Sequence, residues 1–179
     1  MEAILKKIFL PFAKHNEEAD KTITLILGKL SNDDREKDRK SYYKSLSELY
    51  RHVAGGTIYF LSLFKDAVAS NAEAQKALAP LAKFEELKGK LSEDQWKKAV
   101  TQCKTADKAL VDFVNALSDK DFDAPVKLDW YKGKPPSAPL WFMLEQLVEH
   151  NTHHRGQISQ ILDSLKIDND YSGINIKFL

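Results

Sequence analysis

Apolar side chains recur at alternating steps of three and four in four separate stretches of this chain. The first carries Phe12, Ala19, Ile23, Ile26 and Leu30, with Asn16 in the same row; the second carries Leu46, Leu49, Val53, Phe60 and Phe64. The third carries Trp96, Val100, Cys103, Leu110, Phe113 and Leu117, and the fourth runs from Leu140 through Leu147 and Ile158 to Leu165. That period lines one face of an α-helix, and a helix with one apolar stripe must bury it against another element. Four such stripes bury one another in an all-α four-helix bundle. At 179 residues, the chain reads as a single domain over residues 1–179, long enough for a substantial core.

The boundaries follow from local chemistry. The first helix is predicted to begin at Pro11 or a few residues before it, and the second to span Tyr42 to Asp66. Ser31 to Lys40 is a dense mixed-charge run that reads as a solvated loop, and Ala67 to Leu91 reads as one or two short helical turns crossing over. Ser92 caps the third helix, with Glu93 and Asp94 in its first turn. Val126 to Tyr131 alternates as a short strand, and Lys132 to Pro136 is turn chemistry, so a strand or hairpin insertion precedes the last helix. Ser137 and Pro139 open that helix, which runs to about Leu165, and Asp168 to Leu179 follows as an extended arm.

Charge excludes some partners. With 27 basic and 26 acidic side chains the net charge is +1, and no global field selects nucleic acid or an anionic membrane. The single cysteine, Cys103, rules out an internal disulfide, suits a reducing cytoplasm, and lies on a buried stripe as a packing residue. The N-terminal residues lack a long apolar run or a small-residue cleavage site, so no signal peptide is expected. No stretch approaches the ~18 uninterrupted apolar residues of a membrane-spanning helix. The expected compartment is the cytoplasm.

Three of the five histidines, His150, His153 and His154, crowd into the fourth stretch. At 100° per residue from Leu147, His154 falls at about −20° and His150 at about −60°, both on the apolar face, while His153 falls near −120°. Buried imidazoles need partners for their ring nitrogens, and one turn of spacing lets both reach a single ion. Core histidines satisfied by hydrogen bonds would fit the same pattern. A metal would require a third ligand from another helix. His52 in the second helix stands near Gly55 and Gly56, whose missing side chains leave room for a close helix contact or a ligand. His15 flanks the first stripe as a surface or supporting residue. Arg155 and Gln157 lie on opposite flanks of the histidine helix; Arg155 suits a carboxylate or a partner helix, and Gly156 suits close packing. Glu149 faces away from the stripe, and the sequence shows no acid at catalytic spacing from the histidines.

The order of these features carries a resemblance. Asn16-Glu17-Glu18-Ala19-Asp20 in the first helix, a lone His52 in the second, and a late His150-xxx-His154-Arg155-Gly156-Gln157 together resemble the DinB/YfiT-like superfamily, across essentially the whole chain. The resemblance implies an up-down-down-up bundle that forms a homodimer. It also implies a histidine triad holding a divalent ion, at the matching positions His52, His150 and His154.

Three neutral imidazoles suit Zn, Ni or Fe(II) and leave a coordination position open to water or substrate. Superfamily members with an assigned role include transferases and isomerases that use low-molecular-weight thiols; others are known as stress- or DNA-damage-inducible proteins. A metal-dependent thiol S-transferase is therefore the leading expectation. A metal-dependent hydrolase is the alternative within the enzyme class. A non-catalytic stress-response bundle, its metal structural or absent, is the alternative outside it.

Overall fold

The computed structural model describes residues 4–128, 131–133 and 135–178. Parts of the expected strand (Asp129, Trp130), of the turn (Lys134) and of both chain ends (residues 1–3 and Leu179) lie outside the described residues. Four long helices dominate: α1 (Ile4–Leu27), α3 (Leu46–Ala67), α5 (Glu93–Ala116) and α7 (Leu140–Ser164). Between them lie the short helices α2 (Asn32–Glu36), α4 (Ala72–Leu78) and α6 (Asp119–Phe122), and the strands β1 (Pro125–Lys127) and β2 (Ser137–Pro139). The strands pair antiparallel, Val126 opposite Ala138.

The packing gives the helix directions. Phe9 and Ala13 from the start of α1 share a cluster with Leu61 and Phe64 from the end of α3, Leu110 and Phe113 from late α5, and Leu140 to Leu147 from the start of α7. At the other end, Ile23 and Leu27 close α1 against Leu46 and Leu49 of early α3, Trp96 and Ala99 of early α5, and Ile158 and Leu162 of late α7. Thus α1 and α7 run one way and α3 and α5 the other: up, down, down, up. A buried polar layer separates the two apolar clusters. Asn16 and Asp20, Thr57, Asp107, and Asn151 with Arg155 each occupy the middle of a long helix.

Several boundaries depart from expectation. Pro11 lies inside α1, although proline in a helix interior costs about 3 kcal/mol. The turns before it are held by packing: Phe9 is buried and stacks on Phe122, its ring centroid 6.1 Å away. The mixed-charge run is not all solvated either. Ser31 caps α2, and Arg35 is buried with its guanidinium 4.7 Å from the Trp96 ring centroid. Arg35 also donates to the Leu27 and Leu30 carbonyls at the end of α1 and pairs with Glu93. A planar cation that stacks and caps at once is stable where a lysine would be left in water. Ser45 caps α3 by accepting from the Glu48 N–H, which leaves Tyr42 and Tyr43 outside that helix. Ser92 closes a full capping box with Gln95 on α5, as Ser-x-x-Gln chemistry predicts. Ser137 to Pro139 forms a strand rather than a first helical turn, and Pro139 caps α7 directly.

Candidate metal centre

Helix α3 presents His52 and the antiparallel α7 presents His150 and His154, so two elements converge on one point. His52 Nε2 lies 3.0 Å from His150 Nε2 and 3.1 Å from His154 Nε2. Zn–N bonds of about 2.0–2.1 Å at octahedral or tetrahedral angles set ligand nitrogens roughly 2.8–3.4 Å apart. Among the described residues, these histidines form one of two groups with donor atoms close enough to share an ion. The other, Asp20, Cys103 and Asp107, is fully buried and already partnered.

The hydrogen bonds set the ring tautomers. His154 Nδ1 lies 2.8 Å from Gln157 Oε1, and Gln157 Nε2 faces His153 Nε2 at 3.3 Å. With the amide nitrogen turned to His153, the oxygen accepts from His154 Nδ1–H and leaves a lone pair on His154 Nε2. His150 Nδ1 meets Asn151 Oδ1 at 3.1 Å in the same sense. Both α7 rings therefore aim bare nitrogens at His52 Nε2, which the Tyr43 hydroxyl also approaches at 2.8 Å. One proton on His52 Nε2 cannot serve three contacts, whereas a cation serves the convergent lone pairs together. The donor set fits a divalent metal.

Electrostatics point the same way. Burial, reinforced by the facing His154 and His150 rings, lowers the pKa of His52 to about 4. Burial lowers His154 as well. Imidazole ligates metal only when deprotonated, so the fold holds these rings in the ligating form at neutral pH.

Residues 5–165 match the DinB family. The chain belongs to the DinB family. The crystal structure of a DinB-like protein, YjoA from Bacillus subtilis, aligns with a TM-score of 0.62 at 16% identity, covering 92% of this chain and 99% of that one. At that identity the likeness shows the DinB-like fold. No curated protein matches the chain.

On this DinB bundle the two adjacent glycines do different work. A Cβ on Gly56 would fall onto Cε1 of His150 and lie 3.0 Å from its Nδ1, whereas a Cβ on Gly55 would meet nothing within 4 Å. Gly56 is the seat of the His150 ring, and Gly55 lines the cleft beside it. Gly56→Ala is accordingly expected to displace His150 and weaken Zn binding at least about tenfold, a displacement of the kind that costs support of a ligand. Gly55→Ala should leave Zn affinity unchanged and raise stability by roughly 0.5–1 kcal/mol. Zn titration and urea unfolding of both variants check this, and equal metal affinities would contradict it.

The cleft holds about 880 Å³ and reaches His52, His150 and Tyr43. Its outer wall is the segment from Phe84 to Gly89, tied down by Arg51, which donates to the Leu87 and Gly89 carbonyls. His154 is buried, while His52 and His150 are half-buried at the cleft. His153 is exposed, as its helical phase implies. His15 lies apart from the triad, lining a separate cavity of about 460 Å³ with Asn16 and Arg155. Gly156 faces that cavity with open space around it, so it does not serve close packing. Arg155 does meet a carboxylate, Asp20, at 3.6 Å. Cys103 is buried, and burial with the neighbouring Asp107 and Asp20 pushes its thiol well up, consistent with an inert packing residue.

Tyr43 and Asn151 escaped the sequence reading. The sequence put Tyr43 in the first turn of the second helix, whereas the Ser45 cap leaves it ahead of that helix, free to reach His52. Asn151 adjoins His150 in sequence, and only the tilt of its side chain toward Asn16 reveals its part. The part of Gln157 was missed as well, although its spacing carried the signal: a residue three positions after His154 reaches back over the same turn.

Proposed function

We propose that this DinB-family protein is a metal-dependent enzyme in which His52, His150 and His154 hold one divalent ion, Zn, Ni or Fe(II), beside a small-molecule substrate in the adjoining cleft. The supporting observation is the convergence of three imidazole Nε2 atoms on a point that borders a cleft of about 880 Å³. A closed structural site takes its fourth ligand from the protein, whereas a catalytic one keeps a position open. The cleft therefore favours the enzyme over the structural bundle.

When bound, the ion supplies Lewis acidity and a position for an anionic ligand. The chain's own residues do the rest. His150 and His154 offer bare Nε2 atoms fixed by Asn151 and Gln157. Burial and the nearby Tyr42 and Glu48 raise the Tyr43 phenol pKa, so its hydroxyl stays protonated and serves as a hydrogen-bond donor at the cleft edge. Phe60, its ring centroid 5.9 Å from that of His150, is an apolar part of the cleft lining beside it.

Within this reading the substrate class is a low-molecular-weight thiol and the reaction an S-transfer, since a thiolate is the soft anion such an ion takes up. Hydrolysis is the alternative use of the same open position. Pairing of two copies into a homodimer belongs to the same proposal.

The test is spectroscopic. Co(II)-substituted protein titrated with cysteine or glutathione is expected to develop an intense thiolate-to-metal charge-transfer band that the His150→Ala protein lacks. A response to azide but not to thiols would favour hydrolysis. No response to any small anion would overturn the open site in favour of a structural one.

A further inference from the structure

The buried polar layer between the two apolar clusters contains a chain of amides whose orientations depend on one another. It begins at Arg155, whose guanidinium can only donate hydrogen bonds. Arg155 Nη1 lies 2.6 Å from one side-chain atom of Asn16, so that atom is the oxygen. The Asn16 amide nitrogen then donates to Asp107 Oδ1 at 2.9 Å and Asp20 Oδ2 at 3.2 Å. A flipped Asn16 would set its NH2 against the Arg155 guanidinium and its carbonyl against the Asp20 carboxylate, repulsive at both contacts.

The next link follows without freedom. The Asn151 amide approaches Asn16 Oδ1 at 2.8 Å and Thr57 Oγ1 at 2.9 Å. Asn16 Oδ1 offers no hydrogen, so Asn151 must turn its NH2 inward. The Thr57 hydroxyl is committed to the Val53 carbonyl and accepts the second amide hydrogen. Asn151 Oδ1 is left facing His150 Nδ1 at 3.1 Å, a contact that requires His150 Nδ1–H. Asn16 and Asn151 are 2% and 0% exposed, so water cannot stand in for any of these partners.

We infer that Asn16 and Asn151 are positioning residues that transmit the fixed polarity of the buried Arg155 to His150, locking its Nδ1–H tautomer and keeping its Nε2 lone pair toward His52 and His154. A histidine ring free of such a partner favours the opposite tautomer, with the proton on Nε2, where it would block a metal. The consequence for metal binding rests on the proposed metal site; the tautomer does not.

Long-range proton–nitrogen NMR of the full-length, metal-free protein, labelled with ¹⁵N-histidine, reads the tautomer directly. His150 is expected to carry its proton on Nδ1 in the wild type. A proton on Nε2 would overturn the inference, and this arm needs no variant. In Asn151→Leu, His150 is expected to shift toward the Nε2–H form while His154 keeps its own tautomer, and Zn affinity should fall about 10- to 100-fold. If Asn151→Leu keeps the wild-type His150 tautomer, the relay is wrong. A wild type with the Nδ1–H form that nevertheless binds no ion would uphold the relay and sink the metal reading instead.

Discussion

His154→Ala is expected to lose stoichiometric metal binding. Zn sites in small domains gain about 10–16 kcal/mol from four ligands, so one ligand is worth roughly 3 kcal/mol, about a hundredfold in affinity. His154 is the most buried of the three, with Nε2 3.1 Å from His52 Nε2, and no described carboxylate is placed to replace it. His153→Ala is the matched control. Its ring is exposed and meets the site through the Gln157 amide and an edge-on contact with the His154 ring, 4.8 Å between centroids, with no ring nitrogen turned to the ion position, so its loss should change affinity by no more than a few-fold. Competition titration against a chromophoric chelator measures both. Equal losses would mean that His153 holds the ion.

Arg155→Met should destabilise the fold itself by about 3–5 kcal/mol, the cost of leaving a buried carboxylate without its cation. Arg155 and Asp20 are 5% and 2% exposed. Two acids share this one arginine. Burial and the charge of Asp20 push Asp107 well above the carboxylate range, so Asp107 holds a proton and Asp20 is the partner of Arg155. Burial raises Asp20 as well, against the pull of Arg155. The sign of the pH dependence follows. An acid whose folded pKa lies above its unfolded value near 3.8 binds more protons folded than unfolded, so stability falls as pH rises. Removing Arg155 raises Asp20 further. The deficit of Arg155→Met should therefore be largest at neutral pH and shrink as the pH falls, because protonation of Asp20 removes the charge that needs a cation. Urea unfolding at pH 5 and pH 7 measures it, and adding Asp20→Asn should recover part of the loss at pH 7. A deficit independent of pH would contradict this assignment.

Much of the bundle was legible because its stripes are long. Leu46 to Phe64 and Trp96 to Leu117 repeat over enough turns that only a helix accommodates them, and the Ser92 cap marks a helix start through chemistry confined to four residues. Pro11 was misleading because its local cost is outweighed by Phe9 packing on Phe122, residues far apart in the chain. Arg35 was misleading because a charge run says nothing about which of its members finds a ring and two carbonyls to cover. At the site, His150 and His154 could be read from helical phase. His52 was suggested by its glycine neighbours, and the structure gives those glycines distinct parts. Tyr43 reaches His52 from ahead of the Ser45 cap, and the path from Asn16 to Asn151 spans helices at opposite ends of the sequence. Neither contact exists until the bundle closes.

The three-histidine ligand set is tested most directly by X-ray absorption on the Zn-loaded, gel-filtered protein. Three imidazoles at about 2.0–2.1 Å are expected, with the outer-ring scattering characteristic of histidine and a further light-atom ligand from solvent. Fewer than three imidazoles, a sulfur shell near 2.3 Å, or no retained Zn to measure would contradict it.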